Sequence, residues 1–231
     1  MLRSSERLND AWWLRKQSEL HDIAKVHHNA YVYDLDSLKS AAAQLLGLKS
    51  VKRVLYAVKA NFNPAIIRTL AATGIAFDCV SPGEIEHVEA VLPDLDQDRI
   101  LFTPNFAPRA EYEWAIGRGL TVTLDNLFPL QTWPELFNGR EIFIRIDPDK
   151  GDGHHQHVVT SGSGSKFGVS LDQVDELKRL VSASGALVIG IHGHNGSGIL
   201  NPKNWQFVAN ILAGVAKEFP GARTLDLGGG I

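Results

Sequence analysis

Val54-Leu55-Tyr56-Ala57-Val58-Lys59-Ala60-Asn61, then a segment opened by Pro64, then Ile75-Ala76-Phe77-Asp78-Cys79-Val80 and Ser81-Pro82-Gly83-Glu84, is the stretch on which the fold turns. Two short apolar runs rich in β-branched and aromatic residues flank a helical segment. A second helix starts at Ser81 and Glu84, a capping box with Pro82 in its first turn. The unit is β-α-β-α, and it repeats. Val54 to Val58, Ile75 to Val80, Ile100 to Phe102, Leu120 to Leu124, Ile142 to Ile146, Ala186 to Ile191 and Thr224 to Leu227 all read as buried strands. Ser170 with Gln173, and Asn201-Pro202, mark further helix starts. Strand centres about 20 to 25 residues apart, widening later, require parallel strands joined by right-handed crossovers. That leaves a TIM-type (β/α)8 barrel or an open doubly wound sheet, and uniform repetition without a strand-order cue favours the barrel.

Working outward, Leu8 to Val26 places Leu8, Ala11, Trp12, Leu14, Ile23 and Val26 at loosely helical spacing, which predicts an amphipathic N-terminal helix. Ala30 to Tyr33 reads as a strand and Ser37 to Leu46 as a helix ahead of the main repeat. The expected organisation is a helical extension over residues 1–30 and a barrel domain over 31–231. The chain has 231 residues and stops at Leu227-Gly228-Gly229-Gly230-Ile231, just past the seventh strand. The reading is therefore of about seven strands out of eight, with exposed strand edges expected to make the chain marginal or aggregation-prone alone.

Composition excludes several classes. Lys+Arg 23 against Asp+Glu 26 gives a net charge of -3, without the basic footprint of a nucleic-acid or anionic-membrane binder. Apolar runs fall short of a spanning helix, and the N-terminus lacks a secretory apolar core. The single Cys79 has no internal disulfide partner, so a reducing cytoplasm is the expected compartment.

Barrels carry chemistry at the C-terminal ends of their strands, and these ends are polar. The first gives Lys59, the second Asp78, the fifth Arg145-Ile146-Asp147-Pro148, the sixth His192-Gly193-His194-Asn195-Gly196-Ser197-Gly198, and the seventh Asp226-Leu227-Gly228-Gly229-Gly230. A lysine at the mouth of a water-poor cavity has its pKa lowered and presents a nucleophilic amine, although it could equally snorkel or pair with Asp78. Glycine-rich loops after neighbouring strands offer unobstructed N–H groups to a phosphate. Lysine and two such loops on one rim suit pyridoxal phosphate, which needs an amine, an anion cradle and a flat stacking face.

These segments, together with Ser165-Lys166-Phe167-Gly168, resemble the pyridoxal-phosphate-dependent diaminopimelate, ornithine and arginine decarboxylases, which share an alanine-racemase-like barrel. The likeness runs from about Tyr31 to the last residue, in the family's order and spacing. Within the group it is greatest to the diaminopimelate decarboxylases, in particular the decarboxylase half of bifunctional aspartate kinase proteins. Ile100 to Arg109 and the Trp12-Trp13 helix carry that closer likeness. The resemblance implies that Lys59 bonds the cofactor aldehyde and that His194 stacks on its ring. Ser197, Gly228, Gly229 and Gly230 would bind its phosphate, Asp78 would sit behind the lysine and histidine, and Arg145 would lie beneath the ring. It further implies decarboxylation of meso-diaminopimelate to L-lysine and a homodimer in the full-length protein.

The family places a Glu-Gly-Arg segment on its eighth strand and draws a cysteine and a tyrosine from a C-terminal β-domain. This chain has neither segment, so the resemblance implies a cofactor-binding portion that is inactive alone. Cys79 is not that cysteine, and Asn195 stands where the family usually has an aliphatic residue, threonine or valine. Other readings are weaker. His154, His155 and His157 in Gly151 to Gly164 read as a solvated loop and not a metal site, and no metal is expected. His192, His194 and Asp226 could form a metal-type HxH set, which would leave the glycine loops unexplained. A non-catalytic vitamin carrier, or an ornithine or arginine decarboxylase, remains an alternative. Asp125, Trp133 and Trp205 read as helix-end and packing positions.

Overall fold

The computed structural model describes residues 11–148 and 166–230. The loop Gly151 to Gly164 with its three histidines, and Ser165, lie outside the described residues. Two compact units emerge, Met1–Tyr56 with Asn63–Ala76, and Ala57–Phe62 with Phe77–Ile231.

In the first unit, α1 (Trp12–Arg15) and α2 (Gln17–Val26) replace the single expected helix, with the break at Lys16. Lys16 spends its ammonium on Asp34, 2.5 Å away. Asp34 also caps α3 (Leu35–Leu46) by accepting the Ser37 N–H at 2.9 Å. Ala30 to Tyr33 forms no strand. Tyr31 is 91% exposed, and an aromatic-rich run with no ladder partner among the described residues cannot satisfy its backbone as a strand. Asn63 caps α4 (Pro64–Ala72), where Pro64 sits at a position that needs no N–H donor. Ala42, Ile66, Leu70 and Ile75 form the core of this unit, with Leu38, Val54 and Tyr56 packed against it.

The strands are β1 (Leu55–Ala57), β2 (Ala76–Cys79), β3 (Ile100–Phe102), β4 (Thr121–Leu124), β5 (Glu141–Arg145), β6 (Leu187–His192) and β7 (Thr224–Asp226). They run in the order β1-β2-β3-β4-β5-β6-β7, and the pairings from β2 through β7 are parallel. All seven strands of the predicted repeat are present, shifted by at most one residue at an end, although β7 is largely exposed where a buried strand was expected. Sequential parallel neighbours require a crossover after each strand. α4 lies between β1 and β2, and the second unit supplies the other five with α5 (Pro82–Val91), α6 (Arg109–Gly117), α7 (Phe128–Thr132), α8 (Val174–Ser184) and α9 (Lys203–Ala216).

Local chemistry explains the helix ends. Ser81 Oγ accepts the Glu84 N–H, while the Glu84 carboxylate reaches one residue beyond the expected box and accepts the Val80 N–H at 2.9 Å. The reciprocal box forms instead at Ser170 and Gln173. Gly185 ends α8 in the left-handed region at φ 71°, where a side chain would be strained. Phe77, Phe102, Tyr112, Phe137, Ile142, Ile144 and Leu177 are fully buried in this unit. At about 1.5–3 kcal/mol per large apolar side chain, they dominate its cohesion. Their burial leaves the polar strand ends as the fixed rim on which chemistry is displayed.

Candidate active site

Register sets the first row of the site. Arg145 is paired with His192 across β5 and β6, and His192 with Asp226 across β6 and β7. Three polar residues therefore end three adjacent parallel strands side by side. His192 Nδ1 lies 2.9 Å from Asp226 Oδ2, and the other carboxylate oxygen accepts the Gly228 N–H at 2.9 Å. Burial pushes the Asp226 carboxyl up, but the charge and hydrogen bond of His192 and the Gly228 N–H bring it net below the usual range.

Arg145 donates to Asn105 Oδ1 at 2.8 Å and stands 5.0 Å from the centre of the Phe167 ring. Burial lowers its pKa against the opposing charges of Asp125, Asp147, Asp78 and Asp226. A guanidinium facing four carboxylates is a charge centre of the site. Asp78, on β2, accepts the Thr103 hydroxyl. Burial raises its pKa against that hydrogen bond and the charges of His192 and Lys59.

Lys59 follows β1 in the 3-10 turn Val58–Ala60. Val58 takes the buried position and Lys59 is exposed, so the water-poor setting expected for the amine is not supplied by the described residues. Its charge still bears on both Asp78 and His194. His194 is half-buried, and burial, followed by the positive Arg145, His192 and Lys59, lowers its pKa to about 4. It is a neutral imidazole at pH 7, able to face an aromatic ring without a charge to desolvate.

The glycine loops interlock. Gly196, Gly198, Gly228 and Gly230 all have positive φ, and a Cβ on Gly230 would come 2.3 Å from the Gly196 carbonyl oxygen. No side chain fits where these backbones meet. Gly229 N–H donates to His194 Nδ1 at 3.4 Å, and Ile199 N–H to the Gly230 carbonyl at 2.7 Å. With Gly228 and Gly229 committed within the protein, Gly230 carries the N–H of the run that has no partner among the described residues. Ser197 is exposed on the neighbouring loop, and Asn195 is buried at 2%. A backbone run with an N–H that has no partner among the described residues, a nearby hydroxyl, a neutral imidazole, a half-buried guanidinium and an amine fits a small planar anion with an aldehyde.

Among the described residues no cluster of His, Cys, Asp and Glu is arranged to hold a metal ion. Cys79 is buried and burial pushes its thiol pKa up, so it is unsuited to nucleophilic chemistry. Asp125, read from sequence as a helix-end position, is 1% exposed. It accepts the Phe106 N–H at 3.1 Å and an Asn126 Nδ2 hydrogen at 2.8 Å, and its charge acts on Arg145. It holds Phe106 in the left-handed region, φ 52°, unusual for a residue with a side chain. Thr103, Asn105 and Asp125 were missed as neighbours of the site; the available signal was that each is a polar residue just beyond a strand end.

The family profile described as "Pyridoxal-dependent decarboxylase, pyridoxal binding domain" matches residues 35–231. Diaminopimelate decarboxylase of Methanothermobacter thermautotrophicus is 38% identical over 185 residues, covering 78% of this chain and 43% of the relative. Ornithine decarboxylase of Neurospora crassa is 32% identical over 190 residues, covering 80% of this chain and 37% of the relative. Among solved structures, a point mutant of Helicobacter pylori diaminopimelate decarboxylase complexed with L-lysine superposes with a TM-score of 0.80 at 27% identity, covering 92% of this chain and 57% of that one. An arginine decarboxylase of Paramecium bursaria Chlorella virus bound to agmatine superposes with a TM-score of 0.79 at 26% identity, covering 93% and 58%. The chain thus spans about half the length of the relatives it matches.

Proposed function

Because the chain belongs to the pyridoxal-dependent decarboxylases, through their pyridoxal-binding domain, we propose that it forms the cofactor barrel of an enzyme converting meso-diaminopimelate to L-lysine and CO2. The observation that carries this reading is the row Arg145-His192-Asp226 meeting the interlocked glycine loops, with neutral His194 between them. Pyridoxal phosphate, when bound, supplies the electron sink for the pair left behind as CO2 departs.

In this reading the amine of Lys59 anchors the cofactor aldehyde. His194 packs against the ring and excludes water from one face, which an imidazolium could do only by desolvating a charge. Gly230 N–H and the Ser197 hydroxyl hold the phosphate, while Gly228 and Gly229 shape the cradle. Arg145 would lie beneath the ring, and Asp78 would sit behind Lys59 and His194. The domain so defined covers residues 31–231, with 1–30 as a helical extension. Among the described residues no helix is long and apolar enough to cross a membrane. A cytoplasmic homodimer is the assembly proposed with this activity.

The test is a titration of the chain with pyridoxal phosphate, followed by borohydride reduction and peptide mapping. A band at about 420 nm and a label on Lys59 are expected. Label on another lysine, or a folded chain with no band, refutes the site. Adding meso-diaminopimelate, ornithine or arginine in parallel reads the substrate. A spectral change with diaminopimelate supports the reading, and one confined to ornithine or arginine replaces it.

A further inference from the structure

The glycine run does more than leave room for an anion. Asp226 uses both carboxylate oxygens: Oδ2 toward His192 Nδ1 and Oδ1 toward the Gly228 N–H, each at 2.9 Å. Its own carbonyl accepts the Gly193 N–H at 2.9 Å, so the pair is locked to β6 through main chain as well as side chain. A carboxylate bonded at both oxygens to fixed donors has no free rotation about its terminal torsion, and charge-assisted bonds are the stronger kind. Gly228 is thereby held at φ 66°, where its backbone runs against His194. A Cβ there would fall 2.8 Å from both the Gly193 carbonyl oxygen and His194 Nδ1.

The next residue completes the relay. Gly229 N–H donates to His194 Nδ1 at 3.4 Å. In a neutral imidazole the nitrogen that accepts carries no proton, so the proton resides on Nε2 and both tautomer and ring orientation are set from the glycine run. Burial keeps that ring neutral at pH 7. With Gly228 and Gly229 committed, and the Gly230 carbonyl taken by Ile199 N–H, the Gly230 N–H is the donor of the run that has no partner among the described residues and can meet an anion.

Resting on the assignment of His194 and the glycine run to the cofactor, we propose that Asp226 is a positioning residue. Clamped by His192, it holds Gly228 so that Gly229 fixes the His194 imidazole and Gly230 is turned toward the phosphate. Asp226 itself touches neither cofactor nor substrate; it acts through backbone. The consequence is a coupling between two parts of the site that the sequence treats as separate, the phosphate cradle and the ring-stacking histidine.

The experiment compares pyridoxal phosphate with pyridoxal, which lacks the phosphate, by absorbance titration of the wild-type chain, Asp226→Ala and Asp226→Asn. Asp226→Ala frees Gly228, and it should weaken pyridoxal phosphate by at least about tenfold and shrink its advantage over pyridoxal by a similar factor. Asparagine can accept the Gly228 N–H through its oxygen and donate its amide to His192 Nδ1, so Asp226→Asn should stay within about threefold of wild type. A general loss of stability would weaken both ligands alike. An unchanged pyridoxal phosphate to pyridoxal ratio in Asp226→Ala therefore overturns the proposal, as does an Asp226→Asn loss as large as that of Asp226→Ala.

A second measurement needs neither a variant nor a ligand: nitrogen-15 correlation spectra of the histidine rings at pH 7. They should show His194 as the Nε2–H tautomer, and an Nδ1–H ring refutes the relay. Failure of the cofactor assignment itself is seen separately, as a wild-type chain that takes no label on Lys59.

Discussion

Lowering the pH from 7 to 5 should destabilise this chain through His194 in particular, and the size follows from its setting. Burial, reinforced by Arg145, His192 and Lys59, lowers the imidazole pKa from an ordinary 6.5 to about 4. The unfolded chain then takes up a proton near pH 6.5 that the folded chain refuses until near pH 4. The contribution is intact above pH 6.5 and is lost progressively as the pH falls from 6.5 toward 4. One pKa unit corresponds to about 1.4 kcal/mol, and integrating the difference in proton binding between pH 7 and pH 5 gives about 2 kcal/mol. His194→Gln keeps a side-chain oxygen to accept the Gly229 N–H but cannot titrate, so it should lack this component. Urea unfolding at the two pH values reads the difference. With a denaturant slope of about 2–3 kcal/mol/M, the wild-type midpoint should fall by about 0.7–1 M more than that of the variant. Equal midpoint shifts in the two proteins, or a His194 titration near pH 6.5 by NMR, would refute the argument that this ring is held neutral by its surroundings.

Other substitutions test separate parts of the molecule. Gly230→Ala puts a Cβ 2.3 Å from the Gly196 carbonyl oxygen at φ 92°, a backbone clash that no rotamer relieves. At about 1–3 kcal/mol of strain, pyridoxal phosphate should bind about five- to 150-fold more weakly in the same titration, and undiminished affinity would show that the loops need not meet. The Tyr112 hydroxyl is buried without a hydrogen-bond partner among the described residues. Tyr112→Phe should therefore stabilise by about 1–2 kcal/mol and raise the calorimetric melting temperature by about 2–8 °C, whereas a lower melting temperature would mean that the hydroxyl is satisfied.

Most of the strands were legible because buried strands of a parallel sheet read as near-continuous apolar runs, and glycine, proline and capping residues punctuate them sharply. Ala30 to Tyr33 shows the limit of that logic: its composition suits a strand, but a strand exists only where another backbone accepts its hydrogen bonds, and composition does not report neighbours. The site divides in the same way. Residue types at strand ends can be read from rhythm, so Lys59, Asp78, Arg145 and His194 stood out together. Which donor meets which acceptor depends on register to a fraction of a residue and on backbone torsions that glycine leaves open. Three consecutive glycines look equivalent in sequence, yet Gly228 serves Asp226 and Gly229 serves His194, while the Gly230 N–H has no partner among the described residues. His192 and Asp226 were visible as polar strand ends and as members of a metal-type set but not as partners, because their pairing arises from adjacent strand ends at positions 34 residues apart. Their dyad is what a sheet in sequential order adds to a list of polar strand ends. β6 hands its last side chain to that of β7, so the pair can be traced only once the register is known.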